Sequence, residues 1–484
     1  MTTDETENVT SSTSLRSNSL GVGGIVMMVI SAAAPLTVMT GIAPIVLAVS
    51  GLGTPVAYLI AGVVVGLFAI GFTAMAASSR RSGGFAVYIG QSFGGVAGFA
   101  SAMVAIVAYN CLEIGFYGLL GLQAQAALQN LFGVSVPWPV IAVASVLVVY
   151  GMGALGIDVG ARVLGVLIVL ESGVLVLTAL AITFQSGAQG LGHASFDPSN
   201  WANHSTLAVL ALCLGAFVGF ESTVLYRSEA RDPRTTIPRA TYIAVGLMTL
   251  CYVFVTWSVI QAFGESDAQQ TAATQGPTMF FSAINHYVGG WAEHTSYALI
   301  VTSVLAAQLS FHNAINRYVH SMASAGVLPR MLSLTNGAGS PIVAGGAQTL
   351  LALAVVVGFA AAHLDPFVDL VIGLTTPGAV GVLFLEVLAS LACVVFFARR
   401  PASRRRNLLM ACAVIAASML AVIIVYLAKY LVLITGQSGV INVLLLSVTP
   451  AVFVAGVIGA LAVRRRHPEV LARLSSAESE AAVE

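Results

Sequence analysis

Ser31-Ala32-Ala33-Ala34-Pro35-Leu36-Thr37 lies in the first long apolar run of this chain, with Thr40-Gly41 and Pro44 close behind. Gly215-Ala216-Phe217-Val218-Gly219-Phe220-Glu221 lies in the sixth. Proline brings no N–H to a helix interior and glycine weakens one, so both runs predict helices that stop and restart, near 34–39 and 215–220. In lipid, interrupted backbone is tolerated only where it is packed in protein or lines a cavity. Runs one and six are equivalent places in two halves of five runs, and interruptions at matching places are the sequence sign of a transporter binding site. Helix packing on small residues accounts for either run alone, and less well for the matched pair.

The rest of the chain supplies the bilayer context. Apolar residues make up 58% of 484 positions, charged residues 8%, and mean hydropathy is +0.93; soluble domains carry about a quarter charged residues. A window of about 19 residues finds about twelve stretches able to cross a hydrocarbon core of about 30 Å. They fall near 23–50, 54–77, 95–128, 137–155, 161–184, 205–228, 238–263, 294–323, 341–362, 366–398, 407–433 and 438–463. With both termini in the cytosol, every arginine, from Arg16, Arg80 and Arg81 to Arg464, Arg465, Arg466 and Arg473, falls on the cytosolic side or its interface. The long outer connections 185–204 and 264–293 contain no Lys or Arg. That asymmetry predicts a multi-pass protein of the inner or plasma membrane with cytosolic termini. Arginine runs beside apolar spans are topology signals, and a net charge of zero gives no case for nucleic-acid binding.

Residues 1–20 and 464–484 read as polar cytosolic tails without a packed core. Residues 21–400 read as a ten-helix transport core and 401–463 as two peripheral helices. The five cysteines sit inside apolar runs without a CxxC spacing, which predicts neither a metal site nor a disulfide framework. No G-x-x-x-x-G-K-[ST] run occurs, so ATP does not power the protein directly. No nucleophile–base cluster is visible in the spans, which argues against an enzyme and its cofactors. A non-transporting membrane sensor or scaffold derived from a carrier is the alternative, and short tails fit it less well.

Residues 215–240, GAFVGFESTVLYRSEARDPRTTIPRA, resemble the sixth span and following loop of the amino acid–polyamine–organocation (APC) superfamily of permeases. Two further stretches are similar: Gly83-Gly84-Phe85 with Tyr88, and Asn316-Arg317 followed by Met322-Ala323, Gly326, Leu328-Pro329 and Ser340-Pro341. The resemblance implies an all-α LeuT-like fold of about 12 helices, with two inverted five-helix repeats, broken helices one and six, and two peripheral helices. It implies a secondary transporter of an amino acid or organic amine, by proton-coupled symport or exchange. Carried onto this sequence, main-chain amides near Ala34, Leu36, Thr37 and Val38 would meet a substrate carboxylate. Carbonyls near Ala216, Phe217 and Gly219 would meet its ammonium. The physics agrees, because a half-helix N-terminus suits an anion and freed carbonyls suit a cation. Two departures matter. Gly215 stands where relatives commonly carry a bulky aromatic residue, which predicts a larger pocket or a missing gate. Many relatives carry a lysine nine residues after a basic residue at the start of span five, and here Arg162 plus nine is Glu171.

A carboxylate at the bilayer centre costs about 2.5–3.5 kcal/mol on insertion scales. Glu113, Glu171, Glu221 and Glu386 are such residues, and the first ten spans hold no mid-membrane Lys or Arg to pair with them. They are candidates to carry protons or hold a cation. Glu171 stands about 13 Å beyond Arg162, near the midplane, and is the first candidate for coupling. Glu221 in the sixth-span interruption is a candidate for gating or binding, and Glu113 follows. A cavity rich in unpaired carboxylates would favour ligands bearing an ammonium group. His312 and His320 read as interfacial residues, and Asp158 with Arg162 as an i,i+4 ion pair.

Overall fold

A computed structural model of the chain describes residues 20–78, 84–155, 157–186 and 190–475. Gly83, Arg16, Arg80, Arg81 and the side chains of Asp158 and Arg162 lie outside the described residues. Within them the fold is all-helical apart from one isolated bridge between Leu20 and Ala230. Ten helical stretches among the described residues are long and apolar enough to cross a bilayer. One of these, Val22–Ser78, contains 57 residues. As a straight helix it would be about 85 Å long, nearly three times the thickness of a hydrocarbon core. It divides at Gly51, where φ is 55° and one 3-10 turn, Gly51–Gly53, intervenes.

The long helices are α1 (Val22–Ala33, continued by Pro35–Thr37, Val38–Ile42 and Ala43–Ser50), α2 (Thr54–Ser78), α3 (Gly95–Phe132), α4 (Trp138–Ala154), α5 (Ile157–Ser186) and α6 (His204–Gly215). After these come α7 (Pro233–Phe263), α8 (Gly290–Ser324), α9 (Ile342–Ala361), α10 (Gly373–Ala398), α11 (Arg404–Thr435) and α12 (Gly439–Arg466). α4, with 17 residues, is a shorter apolar helix outside those ten stretches. Short helices Ala268–Gln275 and Thr278–Tyr287 cover the end where α7 finishes, in the connection free of Lys and Arg.

α1 packs against α5, α7, α8 and the segment that follows α6, so it stands at the centre of the bundle. Its neighbours are close because its middle is built from Ala32, Ala33 and Ala34, all buried. α11 packs on α2 and α10, and α12 on α3 and α10. Large apolar residues exposed on α5, α7, α11 and α12, such as Val166, Leu250, Val425 and Leu444, form the lipid-facing surface. These helices are apolar on every side, as expected where both the packed and the outward face avoid water.

Candidate functional site

The first interruption is at Ala34. Its φ of 47° and ψ of 67° put an alanine in the left-handed region, and Pro35 follows without an N–H. The Ala34 amide still reaches Ile30 and Ser31, and Val38 N–H donates to the Ala34 carbonyl. The amides of Leu36 and Thr37 open the new half-helix without main-chain acceptors. Those are the donors that a helix N-terminus leaves free. A π-helical turn, Val38–Ile42, then widens the helix; such turns recur at functional sites.

The second interruption covers residues 216–219 and ends at Gly219, whose φ is 110°. A nine-residue 3-10 segment, Phe220–Ser228, continues the span. Only glycine fits here, for two reasons. The backbone is left-handed, and a Cβ on Gly219 would stand 2.7 Å from the Ala32 Cβ. The two interruptions therefore touch.

A cavity of about 210 Å³ starts at this contact. Its inner end is formed by Ala32, Ala33, Ala34, Thr37, Val38, Gly215 and Val218. It runs between Phe116 of α3 and Phe311 of α8 toward Ile45, Gln123 and Phe367, at the end of the bundle where α3 finishes. Leu427, Leu431 and Ile434 of α11 complete the wall, so the cavity draws on a helix from beyond residue 400. Gly215 has nothing within 4 Å of where its Cβ would be, so the missing aromatic residue leaves open space. Thr37, Gln123, Thr375 and Thr376 are polar, but none of the lining residues is Asp, Glu, Lys, Arg or His.

The candidate substrate-binding residues therefore divide. Ala34, Thr37 and Val38 line the cavity, and Leu36 is fully buried one layer behind. Ala216, Phe217 and Gly219 also lie behind the wall, where Gly215 and Val218 take their place. Their carbonyls are engaged: Tyr252 hydroxyl donates to Ala216 O at 3.1 Å, Phe220 N–H to Phe217 O at 3.3 Å, and Ser222 hydroxyl to Gly219 O at 2.6 Å.

Each carboxylate has its own surroundings. Glu171 of α5 is 1% exposed, and neither of its oxygens has a hydrogen bond of ordinary geometry. It faces the Ser303 hydroxyl of α8 and the Leu36 amide of the first interruption. Thr37 Oγ1 donates to Ser303 Oγ at 3.1 Å. Glu171 thus connects to a cavity-lining residue through one serine. Glu221 receives Tyr109 hydroxyl at 2.7 Å on Oε1 and its near neighbour Gly219 N–H at 2.9 Å on Oε2, so it ties the second interruption to α3. Glu386 is buried within electrostatic reach of Glu221. Glu113 accepts from Tyr117 hydroxyl at 3.1 Å and faces His312 at 3.4 Å.

His312 is 2% exposed, against its reading as an interfacial residue. Ser303 was not singled out from the sequence, though a signal exists: Ser296, Ser303 and Ser310 recur every seven residues and are all buried. Serine at that spacing marks one face of a helix.

The arginine-rich end is shut. Arg317 Nε donates to Glu229 Oε2 at 2.6 Å and Nη2 to Oε1 at 2.9 Å, a bidentate pair buried from solvent. Leu20 N–H donates to Glu229 O, and Arg231 N–H to Leu20 O. These bonds hold the start of α1 to the end of the interrupted span.

A family model for amino acid permeases matches residues 20–463. The chain is similar to an uncharacterized transporter of Mycobacterium tuberculosis, 27% identical over 293 residues, 59% of this chain and 61% of that protein. The matched stretch thus spans about three fifths of that relative. It is also similar to a branched-chain amino acid permease of Lactococcus lactis subsp. cremoris, 24% identical over 64% of this chain and 68% of that one. A cadaverine/lysine antiporter of Escherichia coli K12 is 25% identical over 35% of this chain and 38% of its own.

Proposed function

The chain belongs to the amino acid permease family, and from that premise we propose that it is a secondary transporter for a neutral amino acid with an apolar side chain. The observation that carries this reading is the cavity: it ends on the Ala34–Thr37 interruption and has no charged side chain among its lining residues. The carboxylate of the substrate sits at the half-helix N-terminus, with the Thr37 amide as its nearest free donor. The side chain lies among Phe116, Phe311, Val304 and Leu212. A diamine or a lysine would bring a second cation to a wall with no carboxylate to receive it, and an unpaired charge is costly there. The cavity sides with the lactococcal relative over the cadaverine/lysine antiporter.

Two inverted repeats of five helices, α1–α5 and α6–α10, would bring the two interruptions together. Both termini are cytosolic, on the strength of the arginine asymmetry. In that orientation the described state is open to the outside and closed at Glu229–Arg317. Protons drive the cycle through Glu171, because that carboxylate meets both the interrupted helix and Ser303 and has no cationic partner. The test is uptake of labelled leucine, valine and phenylalanine into proteoliposomes, with lysine and cadaverine as competitors. Leucine uptake that rises with outside acidity and ignores excess cadaverine is the expected result. Uptake of lysine or cadaverine that leucine fails to compete would overturn the substrate class.

A further inference from the structure

A second buried cluster stands between the substrate cavity and the arginine-rich end. Glu113 of α3 and His312 of α8 are 1% and 2% exposed. The cavity wall is one residue away on each helix, since Leu112 precedes Glu113 and Phe311 precedes His312. Glu113 is fixed by Tyr117, whose hydroxyl donates to Oε1, and by Gln308, whose side-chain amide donates to the Glu113 carbonyl at 3.2 Å. Oε2 has no partner.

The imidazole is oriented across the gap. Its Nδ1 lies 3.4 Å from Glu113 Oε1. Its Nε2 points the other way, to a pocket of about 10 Å³ walled by Tyr150, Gly153, Asn313, Asn316, Ser340 and Gly345. That volume is about one water molecule's worth, and the wall offers it several polar partners. Two glycines keep the space open: a Cβ on Gly345 would stand 2.9 Å from Asn316 Nδ2 and 3.2 Å from His312 Nε2, and one on Gly153 would stand 3.3 Å from the same Nε2. Asn316 Oδ1 is unpartnered. The pocket lies beside Ser340 and Pro341, in the connection that carries Arg330 at the shut end of the bundle.

We propose that Glu113 and His312 form a proton relay between the wall of the substrate cavity and this water-sized pocket, separate from Glu171. A proton reaching Oε2 protonates Glu113, rotation of the carboxyl turns that O–H toward His312, and Nδ1 of the imidazole takes the proton, leaving the carboxylate. The imidazolium releases its Nε2 proton to water in the pocket, and exchange of the ring tautomer restores the starting state. One proton enters and one leaves, with no other reactant. The titratable and charged groups facing the pair are Tyr117 on α3, Tyr150 on α4, and Arg317 further along α8, which is held by Glu229. α9 and the connection before it contribute Gly345 and Ser340 to the pocket and no titratable group. Glu171 faces Ser303, nine residues from His312 and about 13 Å along the helix. The relay rests on the reading of the chain as a proton-coupled transporter.

The experiment uses the full chain in proteoliposomes containing a trapped pH-sensitive dye, with labelled leucine as the probe. Leucine counterflow, which needs no net proton movement, is measured beside protons moved per leucine. His312→Gln and Gly345→Ala should each lower protons per leucine about twofold, to the share carried through Glu171, while counterflow stays within twofold of wild type. Gly346→Ala, a neighbouring glycine whose Cβ would have only the Tyr150 hydroxyl at 3.7 Å, should behave as wild type. His312→Gln carrying the wild-type number of protons would overturn the relay. Wild-type leucine uptake without proton movement overturns the relay and leaves the transporter reading standing. An infrared pH titration of the protein in lipid needs no substrate and decides the case where no leucine moves. A carboxyl band that Glu113→Gln removes should shift in His312→Gln, and a spectrum unchanged by both variants rules the relay out.

Discussion

Gly219→Ala tests the contact between the two interruptions directly. Alanine at φ 110° and ψ −20° enters a backbone region that side chains rarely occupy, at a cost of about 1–3 kcal/mol. Its methyl would start 2.7 Å from the Ala32 Cβ, where carbon atoms prefer about 3.5–4.0 Å. α1 and the second interruption must move apart, and overpacking of that kind costs about 1–3 kcal/mol. The two costs together come to about 2–6 kcal/mol. They can be separated, because only the second depends on Ala32. Ala32→Gly alone costs about 1 kcal/mol as a glycine inside a helix. In the double variant it should recover about 1–3 kcal/mol, leaving the backbone cost in place. The assay is thermal unfolding of detergent-solubilised protein followed with a thiol-reactive fluorophore. Cys213 and Cys393 are 0% and 1% exposed and react only once the bundle opens. Gly219→Ala should melt several degrees below wild type, with part of the loss restored by Ala32→Gly. A single variant that melts with wild type would refute the close approach. A double variant with simply additive losses would refute the role of Ala32 in it.

Three further outcomes are expected. Arg317→Ala leaves Glu229 buried without its bidentate partner and should destabilise the protein by about 3–5 kcal/mol, read by the same unfolding assay, whereas Arg317→Met combined with Glu229→Leu should recover most of that loss; equal melting of the single and double variants would show that the charge is not the cause. Glu171→Gln keeps the size of the side chain and fixes it neutral, so counterflow of leucine should persist while uptake loses its response to outside pH; a wild-type pH response would move coupling away from Glu171. Gly215→Phe adds a ring to open cavity space, so the protein should fold and melt within about 0.5 kcal/mol of wild type, the range of substitutions that disturb no packed feature, yet bind leucine at least tenfold more weakly; unchanged leucine affinity would place the substrate elsewhere.

Much of the architecture was legible from local chemistry. The apolar runs follow from hydropathy, and the proposed orientation rests on arginine placement alone. The helix interruptions follow from Pro35 and Gly219, because a missing N–H or a missing Cβ acts on its own few residues whatever surrounds them. The proposed depth of Glu171 rests on helical rise alone. Its partners were not legible. Which face of α5 meets α1, and so whether Glu171 finds Leu36 and Ser303, depends on helix rotation, and α5 is apolar on both its packed and its lipid face. A helix without an apolar stripe gives no periodicity from which to read that rotation. The same reason hid the pairing of His312 with Glu113 and the turn of α11 toward the cavity. The chain names the residues that carry charge inside the membrane. Packing between helices, set by where Ala32, Gly153, Gly215 and Gly345 allow close approach or leave space, decides which of them meet.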